Sequence, residues 1–164
     1  MDNPNTITHT INTATEQSLY ERDFYQWALH NAAMLRQGKL TEIDVGNIAE
    51  EIESMGRGEK KELINRLAIL MMHLLKLQYQ PQKQKDSNSW VITIMNQRTD
   101  ISFIFEDNPS LRHELDAIIE KAFKRAMIKF RNETGISQKH LPLNCPYSFE
   151  QIMDDEFWPE ETII

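Results

Sequence analysis

The amino-acid sequence predicts an all-α protein, a single-domain bundle of about five helices with a further short helix near the C-terminus. Two observations predict this class. Apolar residues recur at helical spacing in five separate stretches. The stretch at 59–79 also becomes almost wholly apolar, because His73 is the only polar residue from Leu67 to Leu75. A helix that is apolar on most of its sides is covered by others, so we expect this helix at the centre of the bundle.

Length and composition indicate one globular domain. With 164 residues, 40% of them hydrophobic and 26% charged, the chain can bury a core without disulfides or metals. Residues 1–17 are rich in Thr and Asn and have no apolar period, so we expect them to be disordered or loosely attached. The bundle domain is predicted to span residues 18–164 and to include an acidic C-terminal tail.

The formal net charge of −7 predicts a surface that repels nucleic acid and anionic lipid. The charge is uneven, since residues 1–56 carry nine acids and three bases, whereas residues 57–100 carry four acids and eight bases. Cys145 is the single cysteine, which excludes an intrachain disulfide. No apolar run reaches the ~18 residues of a membrane span, and no segment resembles a signal peptide. We therefore expect a cytoplasmic protein without membrane contact.

Two amphipathic helices are predicted before the central one. The first begins at a Ser-x-x-Glu capping box at Ser18 and ends near Gly38. The second begins at Asp44 and ends at Gly56, and Gly56 with Gly58 is expected to form a tight turn into the central helix. The residues predicted to face inward are Tyr20, Phe24, Trp27, Ala28, Met34 and Leu35 in the first helix, and Val45, Ile48, Ala49, Ile52 and Met55 in the second.

The segment after the central helix is the ambiguous one. Pro81 is predicted to end the central helix, and residues 80–89 to form a polar loop. Residues 90–106 combine strand propensity with a helical apolar stripe that contains Arg98. Because no second strand lies nearby, we interpret this segment as a helix.

The C-terminal part has clear helix boundaries. Asn108-Pro109 begins a helix that ends at Gly135, and a Ser-x-x-Gln capping box at Ser148 begins the short last helix. The acidic tail, Asp154 to Glu161, is expected to be held against the bundle by two aromatic residues, Phe157 and Trp158.

The best candidate site consists of polar residues on or beside apolar stripes: Glu51, His73 and Arg98, with Asn31 and Glu53 as additions. One interpretation is a general acid/base or anion-binding pocket, in which His73 titrates near neutral pH and Arg98 grips a carboxylate or phosphate. The other is a buried ion-pair network that fixes helix register without chemistry, and it is favoured because structural networks of this kind also perturb pKa values. In both, buried Arg98 is expected to have a carboxylate partner.

No recognised metal, cofactor or nucleophile motif is present. The sequence lacks HExxH, Glu-x-x-His, GxSxG and phosphate-binding glycine loops, so neither a metal nor a cofactor is predicted. Cys145 is interpreted as a structural thiol. Given the net charge, two basic groups are interpreted as solvated faces and not as a nucleic-acid site: Lys76, Lys83 and Lys85, and Lys121, Lys124, Arg125, Lys129 and Arg131.

Three long stretches resemble a known family. AEEIESMGRGEKKEL, LMMHLLKLQYQP and LPLNCPYSFEQIMDDEFWP are similar to motifs of the bacterial domain of unknown function number 29. The resemblance covers about Leu19 to Pro159, with a departure at Leu77, where the family usually has Trp. It implies a small all-helical bundle and supports a helix at residues 90–106. It implies no activity and no residue roles, although several candidates match motif positions: Glu50, Glu51, His73, Trp90 and Arg98.

These observations favour a non-enzymatic protein-interaction or regulatory module, with a protein partner or as a homo-oligomer. The absence of a complete catalytic motif and the separated acidic and basic segments carry this expectation. The alternative is a small-ligand-binding protein or enzyme that uses Glu51, His73 and Arg98. A third hypothesis is a nucleic-acid-associated regulator.

Overall fold

The computed structural model describes residues 18–80 and 84–162, without the side chains of residues 84–87, and confirms the all-α class: neither range contains a strand. The prediction for residues 1–17 lies outside the described residues. No helix within the two ranges is long and apolar enough to cross a membrane. Short 3-10 helices occupy Pro109–Glu114 and Gln138–His140. The α-helices are α1 Leu19–Arg22, α2 Phe24–Arg36, α3 Val45–Tyr79, α4 Gln84–Asp107, α5 Leu115–Thr134 and α6 Phe149–Met153.

The chain divides into two compact units, Met1–Ile52 and Glu53–Ile164, and the boundary between them falls within α3. We refer to the described part of the first, residues 18–52, as the N-terminal unit. The C-terminal unit is the described part of the second, residues 53–162. Each is described by itself below.

The first predicted helix of the N-terminal unit is interrupted at Asp23. The capping box at Ser18 is confirmed, but α1 ends after one turn. The carboxylate of Asp23 accepts a hydrogen bond from the backbone N–H of Gln26 at 2.9 Å and so caps α2. A short acidic side chain that bonds its own backbone in this way competes with a continuous helix. Gly38, with φ of +71°, follows α2 as the predicted stop.

A buried amide ties α2 to the start of α3. Asn31 donates a hydrogen bond to the carbonyl of Trp27 at 2.9 Å and accepts one from the backbone N–H of Asp44 at 2.8 Å. The indole N–H of Trp27 donates to the Asp44 carboxylate at 3.1 Å. That carboxylate also accepts from the backbone N–H of Asn47, as predicted for a helix cap. The buried amide therefore has the partners that its burial requires.

The predicted turn at Gly56 and Gly58 is wrong, because α3 runs through both glycines for 35 residues. A glycine inside a helix costs only about 1 kcal/mol relative to alanine, and the flanking Glu, Lys and Arg residues are good helix formers. The inward orientation predicted for this part of α3 is also wrong. Val45, Ile52 and Met55 are 62%, 64% and 72% exposed.

Replacing Gly58 with alanine is expected to raise the free energy of unfolding by about 0.5–1 kcal/mol. The residue has a helical backbone, and an added Cβ would meet nothing within 4 Å. Chemical denaturation followed by circular dichroism measures the change. Gly135→Ala is the matched control and should destabilise, because Gly135 ends α5 with φ of +72°. A loss of stability in Gly58→Ala would contradict a continuous α3.

The second half of α3 is the centre of the C-terminal unit, as predicted. At 100° per residue its buried residues cover an arc of about 200°. The rest of the core comes from α4, α5, α6 and three residues outside the α-helices, Leu111, Leu141 and Tyr147. Helix α4 begins at Gln84, so the predicted polar loop at 80–89 is wrong in its second half, and helix rather than strand is confirmed for residues 90–106. The buried residues of α3 are Leu63, Ile64, Leu67, Ala68, Leu70, Met71, Met72, Leu74, Leu75 and Tyr79.

The predicted boundaries of the last elements are largely confirmed. The helix predicted from Pro109 begins with the 3-10 segment, and the Asn108 side chain makes no capping hydrogen bond. The capping box at Ser148 is present at the start of α6. The tail is held by several contacts. The Phe157 ring packs edge-on against Tyr147, with 5.8 Å between centroids, and the backbone N–H of Thr162 donates to a carbonyl at the end of α3 at 2.7 Å.

Candidate functional site

Arg98 of α4 is the most deeply buried charged residue in the described chain, with 2% of its surface exposed. Its Nε donates to the carbonyl of Ile152 at 2.9 Å, and its Nη2 donates to the carbonyl of Phe157 at 3.1 Å. The Trp158 ring lies over the guanidinium, 5.2 Å from centroid to Cζ. The Ile152 carbonyl lies in the last turn of α6, where carbonyls lack intrahelical partners and favour positive charge.

The predicted carboxylate partner of Arg98 is wrong as a hydrogen-bond partner, because both of its acceptors among the described residues are backbone carbonyls. Burial lowers the pKa of Arg98 below its ordinary value, and the charges of Asp155 and Asp154 oppose that shift. Its Nη1 is buried without a hydrogen-bond partner in the described structure. A cavity of about 230 Å³ adjoins Arg98, but Asp155 lines it too, which disfavours an anion there. Arg98 of α4 therefore holds the end of α6 and the tail through Ile152, Phe157 and Trp158. We call this arrangement the clamp.

His73 is half-buried and turns back to its own helix. Its Nδ1 lies 2.7 Å from the carbonyl of Ile69, one turn earlier in α3. Burial lowers the pKa of His73 below its ordinary value, and the charge of Lys76 lowers it further. The imidazole is therefore mainly neutral at physiological pH, with Nδ1 as the donor to the carbonyl.

The remaining candidates also have partners of their own. The hydroxyl of Tyr20 donates to the carboxylate of Glu51 within the N-terminal unit. Glu53 forms an ion pair with Arg57 at 3.2 Å, one helical turn away. Asn31 belongs to the buried network of α2 described above. Within the described part of the C-terminal unit, no hydrogen bond or ion pair joins His73 to Arg98.

Several side chains of the two predicted basic groups are paired with carboxylates or amide oxygens. Lys76 forms an ion pair with Glu133 at 2.5 Å and lies 5.5 Å from the centroid of the Trp90 ring. On α5, Lys124 pairs with Glu120 at 2.6 Å. Two arginines of this group donate to amide oxygens, Arg125 to that of Asn65 and Arg131 to that of Gln138. Lys83 and the side chain of Lys85 lie outside the described part. No group of His, Cys, Asp and Glu in that part has metal-binding geometry.

Cys145 is half-buried in the segment between α5 and α6. Its Sγ donates to the carbonyl of Tyr147 at 3.4 Å, and burial raises the pKa of the thiol above its ordinary value. The thiol is therefore protonated and weakly nucleophilic at neutral pH, which agrees with the interpretation as a structural residue.

A comparison with protein-family models finds a match to "Domain of unknown function DUF29" over residues 19–158. The chain belongs to the DUF29 family. The match covers nearly the range over which the motifs resemble that family. No curated protein and no solved structure matches the DUF29 chain. The family description names no activity, so the surfaces of the molecule are the guide to function.

The N-terminal unit of this DUF29 chain has a surface that the sequence did not predict. Trp27 and Asn31 are its only buried residues within the described range. Three large apolar side chains of α2, Phe24, Tyr25 and Leu29, are 51%, 74% and 55% exposed. The inward orientation predicted for Phe24 and Leu35 is wrong, since Leu35 is also 44% exposed. One signal was present, because Tyr25 and Leu29 are apolar residues outside the predicted inward stripe. An apolar face wider than the core needs is typical of a second contact surface.

Proposed function

We propose that this protein is a non-enzymatic interaction module that binds a partner protein through the exposed apolar face of α2. One observation carries the proposal. Within the N-terminal unit, four large apolar side chains of a single helix are between 44% and 74% exposed: Phe24, Tyr25, Leu29 and Leu35. Contiguous exposed apolar surface is costly in water and is typical of surfaces that a partner covers.

The four side chains form one face and not a scatter. At 100° per residue they occupy an arc of about 140° on α2. Ala28 and Ala32 lie inside the same arc, and their small side chains leave room for a helix of the partner to approach closely. Trp27 and Asn31, which hold α2 to the rest of the N-terminal unit, lie outside the arc. The face is therefore free for a partner without cost to the fold.

The enzyme and nucleic-acid alternatives have less support. Glu51, His73 and Arg98 each have separate hydrogen-bond partners, and the imidazole of His73 bonds its own helix. The lysines and arginines of α5 are interspersed with acidic residues and amides, and the chain carries a net charge of −7. Within the C-terminal unit, neither His73 and Arg98 nor the basic residues of α5 offer the converging donors that catalysis or phosphate binding needs.

The double variant Tyr25→Ser/Leu29→Gln tests the proposal. Tagged proteins would be cross-linked in native cells and their partners quantified by mass spectrometry. We expect wild type to recover a stoichiometric partner and the double variant to lose it at least about tenfold. Both side chains are largely exposed, so the melting temperature should stay nearly unchanged.

Ile92→Gln is the matched control, because Ile92 lies on α4 and is 59% exposed. It should recover the partner as wild type does. Equal recovery by the double variant, or recovery of the bare protein by wild type, would refute the proposal. If the partner is a second copy of the chain, the mass in solution should double and return to that of a monomer in the double variant.

A further inference from the structure

A groove runs along α5 on the surface of the C-terminal unit. Its first part is a cavity of about 470 Å³ between the start of α5 and residues 143–150. Its second part, of about 400 Å³, follows the later turns of α5 and is closed by Gln138 and Pro142. The two cavities share Phe123, Lys124 and Leu143 in their walls. They are therefore adjacent parts of one groove.

The floor of the groove is apolar and regular. Four residues of α5 at intervals of one helical turn line it: Leu115, Ile119, Phe123 and Met127. Leu143 stands between the two cavities with 85% of its surface exposed. Ile128 at the side of the second cavity is 59% exposed. Each cavity is within the usual size range of binding sites for side chains or small ligands.

The two ends of the groove have opposite charge. The first cavity is lined by the carboxylates of Asp116, Glu120 and Glu150. Glu120 is paired with Lys124, so the negative charge of this end comes from Asp116 and Glu150. Glu150 is ionised at neutral pH, since hydrogen bonds from its own backbone N–H and from Ser148 lower its pKa. The second cavity is lined by Arg131 and by no carboxylate.

The spacing of the cavities fits a helix. Ile119 and Met127, in the floors of the first and second cavities, are eight residues apart, which corresponds to about 12 Å along α5. In a bound helix lying along the groove, apolar residues separated by seven or eight positions would reach one cavity each.

We propose that this groove binds an amphipathic helical segment of a partner protein, with two apolar anchor residues seven or eight positions apart. A lysine or arginine of the bound helix, beside the anchor that enters the first cavity, lies against Asp116 and Glu150. This charge complementarity fixes the direction of the bound helix. The groove belongs to the C-terminal unit and does not involve α2, so the inference goes beyond the proposed function. A protein with both surfaces can hold two partners at once.

A random peptide library displayed on phage, selected against the full-length wild-type protein, tests this inference. Enriched peptides should contain the apolar pair at the stated spacing. They should also have an excess of Lys or Arg next to one member of the pair, the anchor that enters the first cavity. The best peptide, synthesised with a fluorophore, should bind Leu143→Gln at least about tenfold more weakly than wild type. Leu143 is 85% exposed, so this variant keeps its fold.

The charge-reversed variant Asp116→Lys/Glu150→Lys should weaken the same peptide and favour one in which the basic residue is replaced by Glu. Ile92→Gln and Tyr25→Ser/Leu29→Gln are controls and should bind as wild type does, which separates this groove from the α2 face. Equal binding to Leu143→Gln, enriched peptides without basic residues, or no enrichment would each overturn the inference. So would a concentration-dependent doubling of mass that Leu143→Gln abolishes, because a second copy would then occupy the groove.

Discussion

Replacing Arg98 with alanine is expected to lower the free energy of unfolding by about 3 kcal/mol. The change removes the charged donor from two carbonyls, those of Ile152 and Phe157, and leaves them unpaired. It also removes the cation beneath the Trp158 ring and opens a void at a site with 2% exposure. Urea denaturation gives the total loss, and hydrogen exchange shows where it falls. Amides of residues 154–162 should lose protection before those of α3.

Arg112→Ala is the matched control for this substitution. Arg112 also lies over an aromatic ring, 4.5 Å from the centroid of Phe105, but it is exposed and donates to no buried carbonyl among the described residues. Its removal should cost less than about 1 kcal/mol. Arg98→Lys keeps the charge but loses the planar fork that reaches two acceptors. Its loss of unfolding free energy should therefore lie between those of Arg98→Ala and Arg112→Ala. A stability of Arg98→Ala equal to that of wild type would contradict the role of the clamp.

Phe130→Ala is expected to lose about 3–5 kcal/mol of unfolding free energy. Phe130 lies in α5 with none of its surface exposed, and its ring packs edge-on against Tyr79 of α3 at 6.2 Å between centroids. The substitution removes that contact and leaves a cavity where α5 covers the central helix. Since total stabilities of small domains are about 5–15 kcal/mol, a large part of the stability should be lost. The midpoint of urea denaturation would report it.

The neighbouring Ile128→Ala provides the comparison, because Ile128 lies two residues earlier on the same helix and is 59% exposed. Its expected change is within about 0.5 kcal/mol. Phe130→Leu retains most of the buried apolar volume and should lose less than Phe130→Ala, which keeps the series measurable if the alanine variant does not fold. Similar losses at positions 128 and 130 would mean that α5 packs on a different face.

Features that depend on neighbouring residues were predictable from the sequence. The capping boxes at Ser18 and Ser148 need residues only three positions apart, and both are present. The central position of α3 followed from the run at 67–75, in which His73 is the only polar residue. The turn at Gly56 was predicted wrongly because a glycine penalty of about 1 kcal/mol is smaller than the gain from extending an already anchored helix.

Features that depend on distant residues were not predictable. The apolar stripe of α4 correctly indicated that Arg98 is buried, but its acceptors are carbonyls 54 and 59 positions later in the chain. Every residue has a backbone carbonyl, so the sequence does not show which carbonyls accept hydrogen bonds from Arg98. A side-chain carboxylate was therefore the natural expectation. The groove on α5 escaped prediction for a related reason. One of its walls is the irregular segment that contains Leu143, which has no periodic pattern.

The clamp on the tail has a consequence for biosynthesis. Residues 152–162 are translated last among the described residues, yet they supply the acceptors of Arg98 and a donor to the carbonyl of Gln78 at the end of α3. While the ribosome tunnel still encloses them, Arg98 has neither its two carbonyl acceptors nor the Trp158 ring that lies over its guanidinium. The C-terminal unit can therefore complete its fold only after release of the tail, whereas the N-terminal unit can form its buried Trp27–Asn31–Asp44 network while synthesis continues.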